Sequence, residues 1–526
     1  ISFFTRLNFE PGVTSEVLGI IFSAGTLIIF SLIGYKLSIL KNKFIFPFIT
    51  LALVFNYDYN VWATSGLEVS FATFLLSSAF YIYFFTELSY NKRLLYSGFF
   101  ICIGLMVRPD IMLILLFLNF LLFIKNLFDK SGFIKLIKVH CLFNLWVVLI
   151  YLPYFLWRFN YYGFIFPNTY YAKLGYEIAF KQGLIYLWMY FKCHFTSFLI
   201  LVPFLFICSA ILKHGVKKFF LNKELAPLFT ALSVVLVYLI CFVAKVGGDF
   251  MYARFIILCV PFIYFVIVYS LVLIDFKHLN VVLLIVLSLS GVETLIRINM
   301  FIERDEKGNE NAVFQNGIAD ERYYYLYFSN TDKDVANGKE LKERLKDIKY
   351  KGLIVGTQAR FAYYAGFSYC QDYFGLTDTL IAHTVIKERG RVGHEKSASP
   401  EYIESKKINF IFFTDSFDGR LMKNDFYRTA EINLKTGPIK MEIFTYDSVL
   451  MGKLEKRLGN DFRYTNFPNY LDSYIIDSLP KISSSDKLDL DYNKFYAYYF
   501  KNNIDPRREN VFIQKRKELM IQDFVH

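Results

Sequence analysis

Leu225-Ala-Pro-Leu-Phe-Thr-Ala-Leu-Ser-Val-Val-Leu-Val-Tyr-Leu-Ile-Cys-Phe-Val-Ala-Lys245 is uncharged until its last residue. It is followed by Gly247-Gly-Asp-Phe-Met-Tyr-Ala-Arg254 and then by a second apolar run that reaches Ile274. A helix of about 20 apolar residues crosses the roughly 30 Å hydrocarbon layer of a bilayer. The stretch therefore reads as two membrane spans joined by a short polar turn at one face. The same alternation extends in both directions. Apolar segments at 17–36, 44–57, 66–87, 94–108, 110–128, 139–157, 194–212, 225–245, 254–274 and 279–297 predict a polytopic α-helical membrane protein of about ten spans.

Composition agrees with that reading. Of 526 residues, 55% are hydrophobic, 19% aromatic and only 20% charged. A mean hydropathy of +0.36 is too apolar for a water-soluble chain of this size. The predicted boundary falls near Asn299: residues 1–299 form the transmembrane domain, and 300–526 have the mixed polarity of a soluble one. Within the latter, an amphipathic helix from Gly338 leads into the apolar run Gly352–Gly356. Strand-like runs follow at Ile408–Phe413 and Lys440–Thr445, which predicts a small α/β domain. The segment after Asp461 is expected to pack irregularly over it. Five of the seven cysteines are in apolar runs, so no disulfide framework is expected.

Basic residues cluster in alternate connections. These are Lys36, Lys41 and Lys43; Lys92 and Arg93; Lys125, Lys130, Lys135 and Lys138; Lys213, Lys217, Lys218 and Lys223; and Lys277. The positive-inside rule puts these loops in the cytoplasm and the domain after Asn299 outside it. This topology accounts for the net charge of +12 without nucleic acid as a partner.

Five cations break the rule by falling at the opposite face: Arg108, Arg158, Lys173, Lys245 and Arg254. Each alone is explained by an acidic neighbour or by snorkelling to headgroups. Together they suit a lipid phosphate, to which Arg offers a planar fork and Lys a mobile charge. They lie in or beside four polar segments: Trp62-Ala-Thr-Ser-Gly-Leu-Glu68, Arg108-Pro-Asp110, the stretch from Arg158 through Tyr162 and Asn168 to Lys173, and Gly247–Arg254. Glu68 and Asp110 serve equally well as helix-start residues, favoured there by the helix dipole. The glycines before Asp249 suit either a turn or the close approach of a ligand. The run from Tyr176 to Cys193 reads as an interfacial helix or a lead-in to the next span. His394 with Glu395 fits a loop-ordering role, or one reaching toward the membrane site. No His/Cys cluster has metal-ligand spacing, and no Gly-rich phosphate loop is present.

In their order and placement, Thr64–Glu68, Arg108–Asp110, Tyr162–Lys173 and Gly247–Arg254, with Asp372–Asp378 and Arg391–Lys396 further on, resemble membrane glycosyltransferases of the GT-C superfamily. The similarity is greatest to the branch of the AftB-like arabinofuranosyltransferases and ZomB-like motility proteins. The resemblance spans roughly residues 60 to 400 and implies a bacterial inner-membrane enzyme with a GT-C core of about eleven spans and a periplasmic C-terminal domain. It also implies a polyprenyl-phosphate sugar as donor and a cell-envelope glycan or other surface acceptor. Arg158, Lys173 and Arg254 are then expected on the donor phosphate, with Glu68 and Asp249 near sugar or acceptor. Arg108, Asp110, Tyr162, Asn168 and His394 would support them. The family's base is an aspartate in the first outer loop, which here would lie upstream of Ile1. No cofactor follows from the residues, and a divalent metal is left open without a ligand set. Two other readings stand beside this one: a non-catalytic glycan-binding, assembly or motility-linked protein, and a transporter of lipid or polyanion. Against transport, the spans show no internal repeat and few ionisable residues at mid-membrane.

Overall fold

Backbone amides inside hydrocarbon must bond within their own segment, so the apolar runs fold as helices. Among the described residues of the computed structural model, six helices are long and apolar enough to cross a membrane. They are Pro11–Ile39, Ile111–Phe128, Phe133–Tyr162, Phe195–His214, Leu225–Ala244 and Leu279–Met300. The described residues are 2–41, 45–174, 178–304, 310–323, 331–355, 358–388, 390–413, 427–444, 447–464, 467–501 and 503–525.

The four other predicted spans are helical but shorter or less apolar. Val69–Phe85 has 17 residues, and Tyr90–Val107 includes Lys92 and Arg93 in its 18. The 44–57 segment is broken at Asn56 into Phe48–Phe55 and Tyr57–Ala63. Asn56 stabilises the break by accepting from the Tyr59 amide at 2.9 Å and donating to the Tyr264 hydroxyl at 3.2 Å. Val260–Leu273 has only 14 residues, and every residue from Val260 to Val272 is buried. A helix apolar all round belongs inside a bundle, where it needs neither full membrane thickness nor a polar stripe.

The chain divides into two compact units, one of residues 1–324 and 386–395, the other of 325–385 and 396–526. The first unit thus extends about 25 residues beyond the membrane boundary expected near Asn299. The reason is physical: the Leu279–Met300 helix continues into a segment that folds back on the first unit. Phe301 is fully buried, Asp320 bonds to Arg297, and Ala319 exchanges backbone hydrogen bonds with Phe250 and Tyr252 at 2.8 and 2.9 Å. Two short strands, β1 (Ile302–Arg304) and β2 (Glu310–Ala312), pair antiparallel in the same segment.

The second unit is α/β, as expected. Its strands are β3 (Lys351–Val355), β4 (Tyr369–Asp372), β5 (Phe410–Phe413), β6 (Tyr427–Leu434), β7 (Gly437–Phe444) and β8 (Phe462–Tyr464). They form one sheet in the order β4-β3-β5-β7-β6-β8. β3 runs parallel to β4 and β5, whereas the β6–β7 hairpin and β8 add antiparallel. The tail after Asp461 is not irregular. It forms helices Phe467–Asp477, Ser485–Phe495 and Pro506–Val525, and their apolar faces, including Leu471, Tyr474, Leu488 and Phe512, pack with Leu353 and Ile411 of the sheet.

Candidate functional site

In the first unit, four of the polar segments bring their charges into one continuous chain. Arg108, which ends the Tyr90–Val107 helix, donates from Nε and Nη2 to the Asp110 carboxylate at 3.1–3.2 Å and from Nη1 to Glu68 at 2.9 Å. The same Glu68 oxygen accepts from Arg254 Nη2 at 2.9 Å. Arg254 Nη1 continues to Asp249 at 3.1 Å, and Lys173 Nζ reaches the other Asp249 oxygen at 2.8 Å. At the far end the Tyr238 hydroxyl donates to Asp110. Three cations thus alternate with three carboxylates. Asp249 is fully buried, whereas Glu68 is 32% exposed and Lys173 and Arg254 are 18% and 17% exposed, so the accessible side of the chain is formed by those three.

Local backbone geometry sets these positions. The residues from Phe250 to Cys259 are turns rather than helix, yet nearly all are buried, and they close on themselves through bonds such as Ile256 N–H to Ala253 O at 2.8 Å. Non-helical backbone at membrane depth persists only where protein encloses it or a cavity needs it. Gly248 has φ +75°, and a Cβ there would lie 2.4 Å from the Tyr186 ring. That close approach lets the Asp249 carboxylate sit between two cations. Burial alone would raise its pKa; the charges of Lys173 and Arg254 win and hold it below the usual carboxylate range.

The 386–395 segment completes the first unit beside this chain. Phe250 is shared: Lys173 Nζ is 5.2 Å from its ring centroid, Arg391 is 4.9 Å away, and the His394 ring meets it edge-on at 4.7 Å. Arg391 also bonds Glu321 at 2.8 Å. Burial pushes the Glu321 carboxyl up to about 7 despite that guanidinium. Burial, aided by Arg391, pushes His394 down to about 4, so its imidazole is neutral at pH 7.

A second polar cluster was not anticipated from the sequence. Arg297 donates to Asp58 from Nε and Nη2 at 2.8 and 2.7 Å and to Asp320 from Nη1 at 2.5 Å. His194 Nε2 is 2.7 Å from the other Asp58 oxygen, and Glu293 accepts from the Thr196 amide at 2.6 Å. All five ionisable groups are at most 2% exposed, and Tyr57, Tyr252 and Phe301 surround the guanidinium. The sequence did carry a signal: Glu293 and Arg297 are four residues apart within an apolar run, hence on one helix face.

Not every expected site residue joins the chain of charges. Arg158 donates instead to the Ile165 carbonyl within its own loop and stacks on Phe155 at 5.4 Å. Tyr162 is 61% exposed and packs edge-on against Tyr161. Asn168 contributes through position, opening the Asn168–Leu174 helix that carries Lys173. The run before Cys193 is the Phe180–Cys193 helix; its Tyr186 and Tyr190 are fully buried, and Trp188 is exposed. Among the described residues no group of three or more His, Cys, Asp or Glu side chains could hold a metal ion. Compared with known protein families, curated proteins and solved structures, the chain matches none.

Proposed function

We propose that this protein is a membrane glycosyltransferase that moves a sugar from a polyprenyl-phosphate donor to a cell-envelope glycan or other surface acceptor on the extracytoplasmic face. The observation that carries this reading is the convergence of Lys173 and Arg254 on one buried carboxylate, Asp249, with an accessible Glu68 bonded to the same arginine. A donor phosphate competes with Asp249 and Glu68 for these two cations, and the parts of Lys173 and Arg254 that stay exposed, 18% and 17%, give it access. In the transfer, the bond from the sugar's anomeric carbon to the phosphate oxygen breaks, and its electron pair leaves with the polyprenyl phosphate. The acceptor hydroxyl oxygen forms the new bond to that carbon, and its proton passes to a carboxylate. Glu68 fits that last role better than Asp249, both of whose oxygens are occupied in a fully buried position. Asp249 then orders the two cations.

Full pairing of the three cations supports a second reading, a protein that binds the lipid-linked glycan without transferring it. Binding of a tritiated polyprenyl-phosphate sugar to the reconstituted chain tests what the two readings share. Lys173→Ala and Arg254→Ala are each expected to weaken binding about tenfold or more, the loss of one charge-assisted phosphate contact of roughly 1.5–3 kcal/mol. Unchanged affinity in both variants contradicts the assignment.

A further inference from the structure

A cavity of about 130 Å³ lies inside the helix bundle of the first unit, away from the ionic chain. Its deep wall is apolar and buried, with Leu76, Ile101, Val235 and Leu258 each at most 7% exposed. At its other end Leu121, Phe220 and Phe229 are half-buried, so the cavity opens there, and Lys125 is the one charged residue on its wall. That end is where the Ile111–Phe128 helix finishes and the Leu225–Ala244 helix starts, beside the Lys-rich loops that the positive-inside rule assigns to the cytoplasm.

Among the described residues, neither cation at the mouth has a carboxylate within salt-bridge distance. Lys125 Nζ and the Arg93 guanidinium lie 5.6 and 5.8 Å from the same Tyr90 ring. Arg93 donates to the carbonyl of Tyr83, itself a lining residue, and its Nε is buried with no hydrogen-bond partner among the described residues. Lys125 also feels the charges of Lys135 and Lys223, and the nearby Asp129 carboxylate is itself bound to Lys135 at 3.3 Å. An apolar wall offers water no partners and suits hydrocarbon. A guanidinium nitrogen and an ammonium that lack an acidic partner among the described residues, both at its rim, call for an anion. In a bilayer, an acidic phospholipid supplies both parts in one molecule.

We infer that this cavity takes an acyl chain of an acidic phospholipid from the cytoplasmic leaflet, whose phosphate is held by Lys125 and Arg93. The site is separate from Lys173, Asp249 and Arg254 and does not depend on the transfer reaction. A phosphatidylglycerol bearing a diazirine in one acyl chain, incorporated in phosphatidylcholine vesicles with the full chain, tests it by peptide mapping after illumination. Adducts are expected on the lining residues Leu118, Leu121, Leu122, Phe220 and Phe229. Unlabelled phosphatidylglycerol is expected to suppress them, whereas added phosphatidylcholine or inorganic phosphate is not. Lys125→Gln and Arg93→Gln should each lower labelling about fivefold, the equivalent of the ~1 kcal/mol that a basic residue gains at an anionic leaflet. Adducts confined to lipid-facing residues such as Leu116, Phe120 and Phe123 overturn the inference. Equal suppression by phosphatidylcholine in the wild-type chain, or suppression by inorganic phosphate, does so too, and neither result depends on how the variants fold.

Discussion

Asp249 carries two cations on two oxygens while fully buried, which makes it the residue with most to lose. Removing one member of a buried ionic network leaves the others uncompensated, at a cost of about 3–5 kcal/mol. Asp249→Asn is therefore expected to lower unfolding stability in lipid by that amount, measured by denaturant titration; a loss under ~1 kcal/mol would show the contacts to be incidental. Glu321 gives a prediction with pH. Its carboxyl ordinarily titrates near 4.5 and is raised to about 7 in the fold, so the folded state favours the protonated form. The corresponding stability is complete below pH 4.5 and is lost as pH rises through about 7. Glu321→Gln, which keeps the neutral shape, should gain on the wild type over that window by up to about 3 kcal/mol and stay level above it. A pH-independent difference refutes this. At this scale the sequence made Glu68, Lys173, Asp249 and Arg254 legible, because a charge in a polar turn between apolar runs stands out. Asp58, His194 and Asp320 were not, since each sits at the edge of an ordinary-looking segment and only folding brings them to Arg297.

Among the elements, the approach of the Phe180–Cys193 helix to the end of the Leu225–Ala244 helix holds the site's floor. A Cβ on Gly183 would lie 2.1 Å from the Ala244 carbonyl oxygen, so the two backbones touch only because that position has no side chain. Gly183→Val should push the helices apart and, through Tyr186, shift the turn that presents Asp249. We expect a stability loss of at least ~2 kcal/mol together with weaker donor binding, and retention of both in Gly183→Val would show that the contact is dispensable. The strongly apolar elements were readable because about 20 uncharged residues have few other ways to fold. The breaks were not. The helix interruption at Asn56 and the turns of Phe250–Cys259 depend on tertiary partners, Tyr264 and the β-bridge to Ala319, that local sequence does not announce. The helices after Asp461 were not legible because Tyr and Phe take several of their buried positions, such as Phe467, Tyr470, Tyr474 and Phe495, among Asp, Asn and Lys, which blurs the helical period.

For the whole molecule, the alternation of Lys-rich connections predicts sidedness. A cysteine in place of Lys130 should react with an impermeant maleimide only after the membrane is opened. One in place of the exposed Ser397 should react from the extracytoplasmic side of intact cells, and the reverse pattern contradicts the topology. The proposed orientation rests on charge clustering alone, whereas the division into units was not legible in the sequence. The 386–395 segment lies far along the chain from the helices it belongs with, and its anchors, Arg391 on Glu321 and His394 on Phe250, appear only in three dimensions. The most direct test of the account is sugar transfer by the full-length protein in vesicles, from a panel of radiolabelled polyprenyl-phosphate sugars to envelope glycan acceptors, with Lys173→Ala and Arg254→Ala alongside. Transfer by the wild type that falls at least a hundredfold in both variants is the predicted result, the combined effect of lost donor affinity and lost stabilisation of the leaving phosphate. Transfer that survives both substitutions, or none from any donor that the wild type binds, would contradict it.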